Sequence, residues 1–408
     1  MRGRPENSEE LKVEKDRLKQ QVAKKIDSIK DELVALSHLI HRHPETSFEE
    51  RKAAAWLSEK LESNGFQVEK GLGGLETAFR AVLPQRAQQK PVVALLAEYD
   101  ALPELGHACG HNIIATASVG AAIGLTEVIS HLKGTIQVIG TPAEESGCGK
   151  KILVEKGIFS GVDAAMMVHP SNRTLVARGS LASQLVEVKF YGKAAHAAAY
   201  PENGINALDG VIETFNNINA LRQHLPSDVR IHGIITHGGT RTNIVPDFAA
   251  ARFQVRTADD EYLDQLLQKV ENCARAAALA TGATVEFVLS NSLYQAMRPN
   301  RALAELFAAN LRHLGEKLDE PPQTGTMGST DMGNVSQAVP AIHPYIAICP
   351  KEVVAHSPQF AEAAISDRAD RALITAAKAL AMTAVDLLSN AAVMSRVQQE
   401  FKSHHQKY

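Results

Sequence analysis

The sequence predicts an α/β protein in which a larger domain, with a mostly parallel central sheet flanked by helices, is interrupted by a smaller α+β module. Two observations lead to this prediction. Short apolar runs of strand length alternate with helical patterns up to about residue 180, and a different pattern occupies residues 181–297 before the first one returns. Short continuous apolar runs are typical of parallel strands that helices cover on both faces. We therefore expect a larger domain made of residues 1–180 and 298–408, with residues 181–297 inserted in it.

The first part of the larger domain begins with helices. Apolar positions at helical spacing predict one long helix over residues 11–40, ending before Pro44. A second helix is expected at 49–64, with Gly65 as its C-terminal stop. Three apolar runs then predict buried strands, with helices between them: strands at 92–97, 136–139 and 164–168, and helices at 112–131 and 150–156.

The inserted module has the predicted order strand, helix, strand, strand, helix, strand. This order is the split βαβ, or ferredoxin-like, arrangement. Its expected elements are strands at 184–190, 229–235, 248–255 and 284–289 and helices at 206–221 and 262–280. After the module, the pattern of the larger domain resumes with helices at 301–314 and 366–389, a strand at 341–348, and a polar end at 395–408 that we expect to be frayed.

Composition restricts the possible partners. The chain has 408 residues, of which 45% are hydrophobic, and 43 Lys+Arg against 46 Asp+Glu give a net charge of −3. A nucleic-acid-binding protein normally has a basic excess, so we expect no nucleic-acid partner. We also expect no membrane partner, because no stretch reaches about 18 uninterrupted apolar residues and the start lacks the apolar core of a secretory signal. With four scattered cysteines, a cytoplasmic location is the simplest expectation.

The segment AEYDALPELGHACGH at 97–111, directly after the first predicted strand, carries candidate metal ligands. Ligands commonly bind where strands of an α/β sheet end, because the loops converge there. Cys109 and His111 supply a thiolate and an imidazole, which suit Zn²⁺ and late first-row metals. On its own, such a short pair is as typical of a buried cysteine beside a hydrogen-bonded histidine.

The next two predicted strands end in side chains of the same kind. Glu144 and Glu145 follow the strand at 136–139, and His169 follows the strand at 164–168. Paired glutamates also occur at solvated helix starts. Three consecutive strands that each end in ligand-type side chains nevertheless favour a metal site. Adjacent glutamates can divide the work there, since one can bind metal while its neighbour takes a proton from water.

Short motifs in a fixed order resemble those of the metal-dependent N-acyl-amino-acid amidohydrolases. This peptidase and amidase family includes aminobenzoyl-glutamate hydrolase, hippurate hydrolase and auxin-conjugate hydrolases. The resemblance covers roughly residues 45–380 and implies a catalytic domain interrupted by a lid and dimerisation domain, and therefore a homodimer formed through the lid. The motifs are DALP at 100–103, HACGH at 107–111, TPAEE at 141–145, HP at 169–170, KAAHA at 193–197, TNIVPD at 242–247 and AHSPQF at 355–360.

The resemblance implies a site for two divalent metal ions whose ligands are Cys109, His111, Glu145, His169 and His356. Glu144 is similar to the family's general base, which acts on a metal-activated water. Other branches of the family have an aspartate in place of Cys109, and the thiolate shifts the expected metal toward Zn²⁺, with Mn²⁺ or Co²⁺ also suitable. Glu98 and Asp100 are expected to orient the ligands.

Further candidates could contact the substrate. The resemblance implies that His196 reaches the partner subunit's active site and stabilises an oxyanion, and that Asn243 binds substrate. A guanidinium can hold a free carboxylate through two parallel hydrogen bonds, although an ordinary surface role fits each candidate arginine as well. These candidates are Arg178, Arg241 and Arg256, together with Ser329 as a contact of the leaving amino acid.

The expected activity is metal-dependent hydrolysis of the amide bond in N-acyl- or aminoacyl-amino acids, which are small substrates with a free carboxylate. Aminobenzoyl-glutamate-like compounds and dipeptides are both expected to fit this description. A metal-dependent deaminase, or another non-peptide C–N hydrolase, could use the same site with a different pocket. A catalytically silent metal-binding regulator is a third alternative, and Glu144 beside the expected ligands argues against it.

Overall fold

The computed structural model describes residues 8–87, 89–321 and 327–405, and these residues form two compact units. The larger unit lies within residues 1–179, 298–323 and 334–408, and the smaller unit within 180–297 and 324–333. The described helices are α1 (Ser8–Ser28), α2 (Lys30–Arg42), α3 (Arg51–Glu62), α4 (His111–Leu125), α5 (Glu144–Gly147), α6 (Gly149–Glu155), α7 (Ala207–Leu221), α8 (Asp260–Thr281), α9 (Arg301–His313), α10 (Met332–Ala338), α11 (Pro358–Ala363), α12 (Asp367–Ser389) and α13 (Ala391–His405). The described strands are β1 (Gln67–Lys70), β2 (Phe79–Val82), β3 (Val92–Glu98), β4 (Thr135–Thr141), β5 (Ala164–Met166), β6 (His169–Ser171), β7 (Ala182–Tyr191), β8 (Arg230–His237), β9 (Phe248–Thr257), β10 (Thr284–Tyr294), β11 (Ala341–Ile342) and β12 (Tyr345–Ala347).

The larger unit is built on a six-stranded sheet in the order β1-β2-β4-β3-β5-β11. The four strands β4, β3, β5 and β11 are parallel, whereas β1 and β2 add an antiparallel edge. Every residue of β3 is buried, which explains its continuous apolar sequence. This architecture confirms the predicted α/β fold. The edge strands β1 and β2 were not predicted, because each has only four residues and neither carries a continuous apolar run.

Helix α4 lies at the centre of the helical layer, and all of its residues are buried. Two glycines let α1 and α2 approach it closely. A Cβ atom at Gly120 would lie 2.7 Å from Cδ1 of Leu33, and one at Gly124 would lie 2.6 Å from Cγ1 of Ile26. Real Cβ atoms do not approach other atoms so closely, so these positions require glycine if the packing is to stay as it is.

Helix α12 packs with α4, α1 and α9 in the core of the larger unit. By length and composition it could cross a membrane, but 78% of its most apolar window is buried within the structure. A core helix passes the same test of composition, so this helix is weak evidence for a membrane span.

Two predictions for the helices were wrong. The helix predicted at 11–40 is divided into α1 and α2 at Ile29, whose backbone leaves the helical region (φ −113°, ψ 10°). Residues 395–405 of the polar end, expected to be frayed, form part of α13 instead, and residues 406–408 lie outside the described residues. Met394 and Val397 are buried, and the carboxylate of Glu400 accepts hydrogen bonds from the first two amides of α9. Two apolar side chains and this capping contact stabilise a helix whose composition is otherwise polar.

The strand predicted at 341–348 also differs in the structure. It is interrupted at His343 and Pro344, which divide it into β11 and β12. Strand β11 completes the six-stranded sheet, whereas β12 pairs with β6 in a separate parallel ribbon. The chain therefore leaves the main sheet at His343 and Pro344. The strand that follows, β12, lies beside β6, which begins at His169.

The smaller unit contains a four-stranded antiparallel sheet in the order β10-β7-β9-β8. Helices α7 and α8 pack against each other and against the sheet, and together they enclose a separate apolar core. This is the split βαβ arrangement that the sequence predicts. Strand β8 forms one edge of the sheet, and Ile234 and Ile235 on it are 66% and 46% exposed.

Candidate metal centre

The candidate metal ligands of the larger unit follow the carboxyl ends of its parallel strands. Cys109 and His111 lie after β3, Glu145 lies in the short helix after β4, and His169 begins β6 after β5. His356 lies in the loop between β12 and α11. Because the strands β4, β3 and β5 are parallel, their carboxyl ends meet at one edge of the sheet. The fold therefore brings five side chains from distant parts of the sequence to one place.

The ligand atoms of these side chains lie within a few ångströms of each other. Sγ of Cys109 is 3.6 Å from Nε2 of His169 and 3.5 Å from Nε2 of His356. Oε1 of Glu145 is 3.5 Å from Nε2 of His356 and 3.8 Å from Nε2 of His111. Atoms that share one Zn²⁺ ion at about 2.0–2.3 Å lie roughly 3–4 Å apart, so these separations fit metal binding.

Several buried polar atoms at this place have no hydrogen-bond partner within the part of the chain that the structure describes. They are Oε1 of Glu98, Nε2 of His111 and Oε1 of Glu145. Leaving such atoms unpaired in a protein interior costs free energy, and a bound cation would satisfy all three. The donor set of thiolate, imidazole and carboxylate therefore fits a divalent transition metal.

Glu98 lies closer to the candidate ligands than an orienting role requires. Its Oε1 is 3.1 Å from Nε2 of His111, and these two residues form a possible ligand group with Glu144. Its other oxygen accepts a hydrogen bond from the buried ammonium group of Lys150. Glu98 is thus a further candidate ligand, whereas the sequence predicts only an orienting role for it.

Asp100 holds two elements of the site in position. Its Oδ1 lies 3.1 Å from Nδ1 of His111, and its Oδ2 accepts a hydrogen bond of 2.9 Å from the backbone amide of Glu145. A carboxylate on one imidazole nitrogen fixes the ring and leaves the other nitrogen free for a metal. Nε2 of His111 therefore faces the candidate ligands.

The candidate ligands differ in their protonation states. Burial, together with the positive neighbour His111, lowers the pKa of His169 to about 4, so this imidazole is neutral at neutral pH. Burial and the negative charge of Glu145 raise the pKa of the Cys109 thiol well above its ordinary value. The carboxylate of Glu145, whose Oε1 lies 3.5 Å from Nε2 of His356, raises the pKa of that imidazole. Cation binding at this place therefore displaces the proton of the Cys109 thiol.

The loops that carry the ligands have unusual backbone conformations. His356 adopts a left-handed conformation (φ 63°), and its amide donates a 2.9 Å hydrogen bond to the carbonyl of Ala108, next to Cys109. Gly110 is also left-handed (φ 77°), and a Cβ atom there would lie 2.5 Å from Cγ of Pro170. Such conformations are disfavoured for most residues and concentrate at functional sites. They keep the segments around Cys109, His169 and His356 in close contact.

In the smaller unit, the structure brings His196 and Asn243 together. The backbone of His196 pairs with that of Ile244, and the carbonyl of Asn243 accepts a hydrogen bond of 3.0 Å from the amide of Ala197. Nδ1 of His196 faces the amides of Ala198 and Ala199 at 3.3 and 3.1 Å. A neutral imidazole that accepts at Nδ1 carries its proton on Nε2, so His196 presents a donor.

The arginine candidates lie in three different places. Arg256 is half-buried, and its Nη1 lies 3.4 Å from Oγ of Ser329, so two candidates of the smaller unit are neighbours. Arg241 is exposed in the loop before Asn243. Arg178 belongs to the larger unit, where its guanidinium lies 5.2 Å from the ring centre of Tyr345.

The sequence analysis missed two aromatic residues beside the ligands. The rings of His343 and Tyr345 lie 5.3 and 5.4 Å from the ring of His169, measured between centroids. The only sequence signal is the interruption of an apolar run by His-Pro-Tyr, and we interpreted that run as a single strand. These rings limit the access of water to His169 from one side.

Comparison with known proteins identifies a matching family and similar sequences. Residues 94–381 match the family described as peptidase family M20/M25/M40. The chain is 41% identical over 404 residues to the Xaa-Arg dipeptidase of Mus musculus, a match that covers 96% of this chain and 93% of that protein. It is 30% identical over 449 residues to a subunit of the p-aminobenzoyl-glutamate hydrolase of Escherichia coli, covering 92% and 93% of the two chains.

Solved structures share the fold. A dinuclear metal-binding peptidase of the M20 family from Bacillus subtilis superimposes with a TM-score of 0.69 at 23% identity, covering 89% of this chain and 99% of that one. The aminobenzoyl-glutamate utilization protein of Klebsiella pneumoniae gives a TM-score of 0.68 at 19% identity, with 90% and 98% covered. At such low sequence identities, the comparison supports the fold alone. This fold agrees with the one predicted from the sequence.

Replacing Cys109 with serine is expected to lower the affinity of the chain for divalent metal by roughly 10-fold or more, because a hydroxyl is a poorer ligand than a thiolate. The measurement is metal content by mass spectrometry after dialysis at a fixed free Zn²⁺ concentration. Cys349→Ser is the matched control, since Cys349 is equally a free thiol and its described contacts are with the carbonyl oxygens of Ser171 and Val353 at 3.8 Å. Equal metal content in Cys109→Ser and the control would exclude Cys109 as a ligand.

Proposed function

The chain belongs to peptidase family M20/M25/M40 and is a metal-dependent amide hydrolase, and we propose that its substrates are dipeptides and N-acyl-amino acids with a free carboxylate. One observation carries the proposal for the site. Five ligand-type side chains converge at the carboxyl ends of the central strands, and an adjacent glutamate, Glu144, completes the set.

The proposed cofactor is a pair of divalent metal ions held by Cys109, His111, Glu145, His169 and His356. Overlapping ligand groups support two ions, because Cys109 occurs in two of the groups and His111 in two. A protein of the same fold is described as a dinuclear metal-binding peptidase. Zn²⁺ is the preferred ion because of the thiolate and the imidazoles, and Mn²⁺ or Co²⁺ would fit the same donors less selectively.

In the proposed mechanism, Glu144 is the general base. The bound ions would acidify a water molecule and polarise the carbonyl of the scissile amide. Glu144 begins α5 beside the ligand Glu145 and is largely buried, so its carboxylate can take the proton of the attacking water. The same carboxyl group then returns the proton to the leaving amine. The backbone amide of Glu145, which donates a hydrogen bond to Asp100, keeps this helix start in place.

The proposed substrates follow from the relatives. The 41% identical relative is a Xaa-Arg dipeptidase and the 30% identical one belongs to a p-aminobenzoyl-glutamate hydrolase, so dipeptides with C-terminal arginine are proposed first. Both substrates have a free carboxylate next to the scissile amide. Arg178, Arg241 and Arg256 are the proposed partners of this carboxylate, and Ser329 beside Arg256 would add a hydrogen bond.

The proposed assembly is a homodimer formed through the smaller unit. Strand β8 is an edge strand with exposed Ile234 and Ile235, and an apolar edge of this kind pairs readily with another strand. In such a dimer, Nε2–H of His196 would act on the partner subunit's site and stabilise the oxyanion of the tetrahedral intermediate, with Asn243 as its neighbour.

The test of the function is a hydrolysis screen of metal-loaded protein. We expect free amino acid to be released from dipeptides and N-acyl-amino acids, and the activity to be lost on chelation and restored by Zn²⁺, Mn²⁺ or Co²⁺. Aminoarenes and other amines serve as the competing substrates. Ammonia release from them, without cleavage of any amide, would identify a deaminase instead, and full turnover after chelation would exclude the metal mechanism.

Substitution of Glu144 and Glu145 distinguishes the proposed general base from the proposed metal ligand. Glu144→Gln is expected to keep its metal and to lose at least about 10²-fold in kcat, because only the proton acceptor is removed. Glu145→Gln, as the matched variant, is expected to lose metal. Kinetics and metal content are measured on the same preparations. Equal metal loss in both variants would show that the two roles are wrongly assigned.

Complementation tests the proposed role of His196. His196→Ala is expected to keep metal and dimer and to lose roughly 10²- to 10³-fold in kcat, since an oxyanion contact acts mainly in the transition state. His224→Ala, also exposed in the smaller unit, is the control and should stay active. Mixing His196→Ala with Glu144→Gln should restore part of the activity, because one site of the heterodimer then has both intact residues. No recovery in heterodimers confirmed by mass would exclude action across subunits.

A further inference from the structure

A buried carboxylate outside the ligand set binds the turn that carries Glu144 and Glu145. Glu50 is fully buried, and its Oε1 accepts hydrogen bonds from the backbone amides of Ala143 at 2.8 Å and Phe48 at 3.0 Å. Its Oε2 accepts a hydrogen bond of 2.9 Å from the hydroxyl of Thr77. Glu50 therefore connects the loop before α3 to the residue that immediately precedes the proposed base.

The turn held in this way has a disfavoured backbone. Ala143 is left-handed (φ 60°, ψ 45°), as is Phe48 (φ 68°), and residues with a Cβ atom rarely adopt this conformation. One carboxylate oxygen thus binds the amides of two left-handed residues. The ring of Phe48 also packs against the turn, since a Cβ atom at Gly147 would lie 2.4 Å from Cε2 of that ring.

Buried carboxylates bind the backbone on both sides of Glu144. Glu50 binds the amide before it, at Ala143, and Asp100 binds the amide after it, at Glu145, at 2.9 Å. Asp100 also contacts a candidate ligand, His111, whereas the described hydrogen bonds of Glu50 involve none of the candidate ligands. Of the two, only Glu50 can be altered without direct disturbance of the metal centre.

We propose that Glu50 is a positioning residue, which holds Ala143 in the left-handed conformation that aims the carboxylate of Glu144 at the reacting water. The proposal rests on the proposed function of Glu144 as general base. Without the carboxylate, Ala143 can relax toward the favoured region, and the direction of the next side chain changes with it. Displacement of a catalytic group by about 1 Å can lower a rate by roughly 10²-fold.

An amide side chain should be able to replace the carboxylate. Burial, with a contribution from the nearby charge of Asp100, raises the pKa of Glu50 to about 7, so both protonation states occur near neutral pH. The carbonyl oxygen of glutamine can accept from both backbone amides, and its NH₂ group can donate to Thr77. Glu50→Gln therefore keeps the contacts that the proposal requires, and Glu50→Ala removes them.

The kinetic test compares Glu50→Ala, Glu50→Gln and Thr77→Val, all metal-loaded, on a substrate that the wild-type protein hydrolyses. Glu50→Ala is expected to lose about 10- to 100-fold in kcat with KM and metal content close to those of the wild type. Glu50→Gln is expected to stay within about 3-fold of the wild type in kcat. Thr77→Val removes a hydrogen bond from the same carboxylate but none from the turn, so it should change thermal stability and not kcat.

Hydrogen exchange gives a second readout that needs neither metal nor substrate. In the metal-free protein, the amide of Ala143 is expected to exchange faster in Glu50→Ala than in the wild type, and to be unchanged in Glu50→Gln and Thr77→Val. If Glu50→Ala does not fold, Glu50→Asp takes its place, because its shorter carboxylate cannot reach both amides.

The outcomes separate this proposal from the function on which it rests. A wild-type protein that hydrolyses none of the substrates would overturn the proposed function, while the exchange of Ala143 would still report on Glu50. Unchanged exchange in Glu50→Ala would overturn the positioning role. An equal loss of kcat in Thr77→Val, or loss of metal in Glu50→Ala, would reduce Glu50 to a structural residue and contradict the proposal.

Discussion

The burial of several carboxyl groups around the ends of β3 and β4 is the constraint on which the rest of the site depends. A buried carboxylate is costly unless hydrogen bonds or a positive charge compensate it. Lys150 is the only buried lysine among the described residues, and it binds Glu98. The other acids are divided between two solutions: Glu50 and Asp100 accept hydrogen bonds from backbone amides, whereas Oε1 of Glu145 has no hydrogen-bond partner among the described residues, and a cation would satisfy it. Metal binding and hydrogen bonds from backbone amides are thus two ways to compensate the charge of a buried carboxylate.

Close packing makes this arrangement possible, because the loops around the acids have almost no free space. A side chain at Gly110 would collide with Pro170, and one at Gly147 would collide with Phe48. The first contact joins the loops after β3 and β5, and the second joins the loop after β4 to the loop before α3. The candidate ligands are therefore held by close-packed neighbours, and this packing holds them together in the chain alone.

The sequence predicted those parts of the molecule that leave a local signal. Strands β3 and β4 are long apolar runs, and the candidate ligands after them could be named because each follows such a run. The break at Ile29 has no glycine or proline to mark it, and the apolar spacing continues through it. The helix α13 is polar in composition, and its buried face consists of a few positions such as Met394 and Val397. The contact of Glu50 with Ala143 joins residues 93 positions apart and has no local pattern at all.

Because the smaller unit is inserted in the larger one, the sheet of the smaller unit can form before that of the larger unit during synthesis. All four strands of its sheet and the helices α7 and α8 lie between Ala182 and Tyr294, so this sheet can form while the ribosome is still making the rest, and residues 327–333 join the unit later. The larger unit has to wait for β11, the last strand of its sheet, and for the helices α9, α12 and α13. Until then β5 has an unpaired edge and α4 lacks its main packing partner, α12, so apolar surface of the larger unit stays exposed. His356 follows β12 in the chain, so the metal centre receives its last candidate ligand only after the described strands have been made.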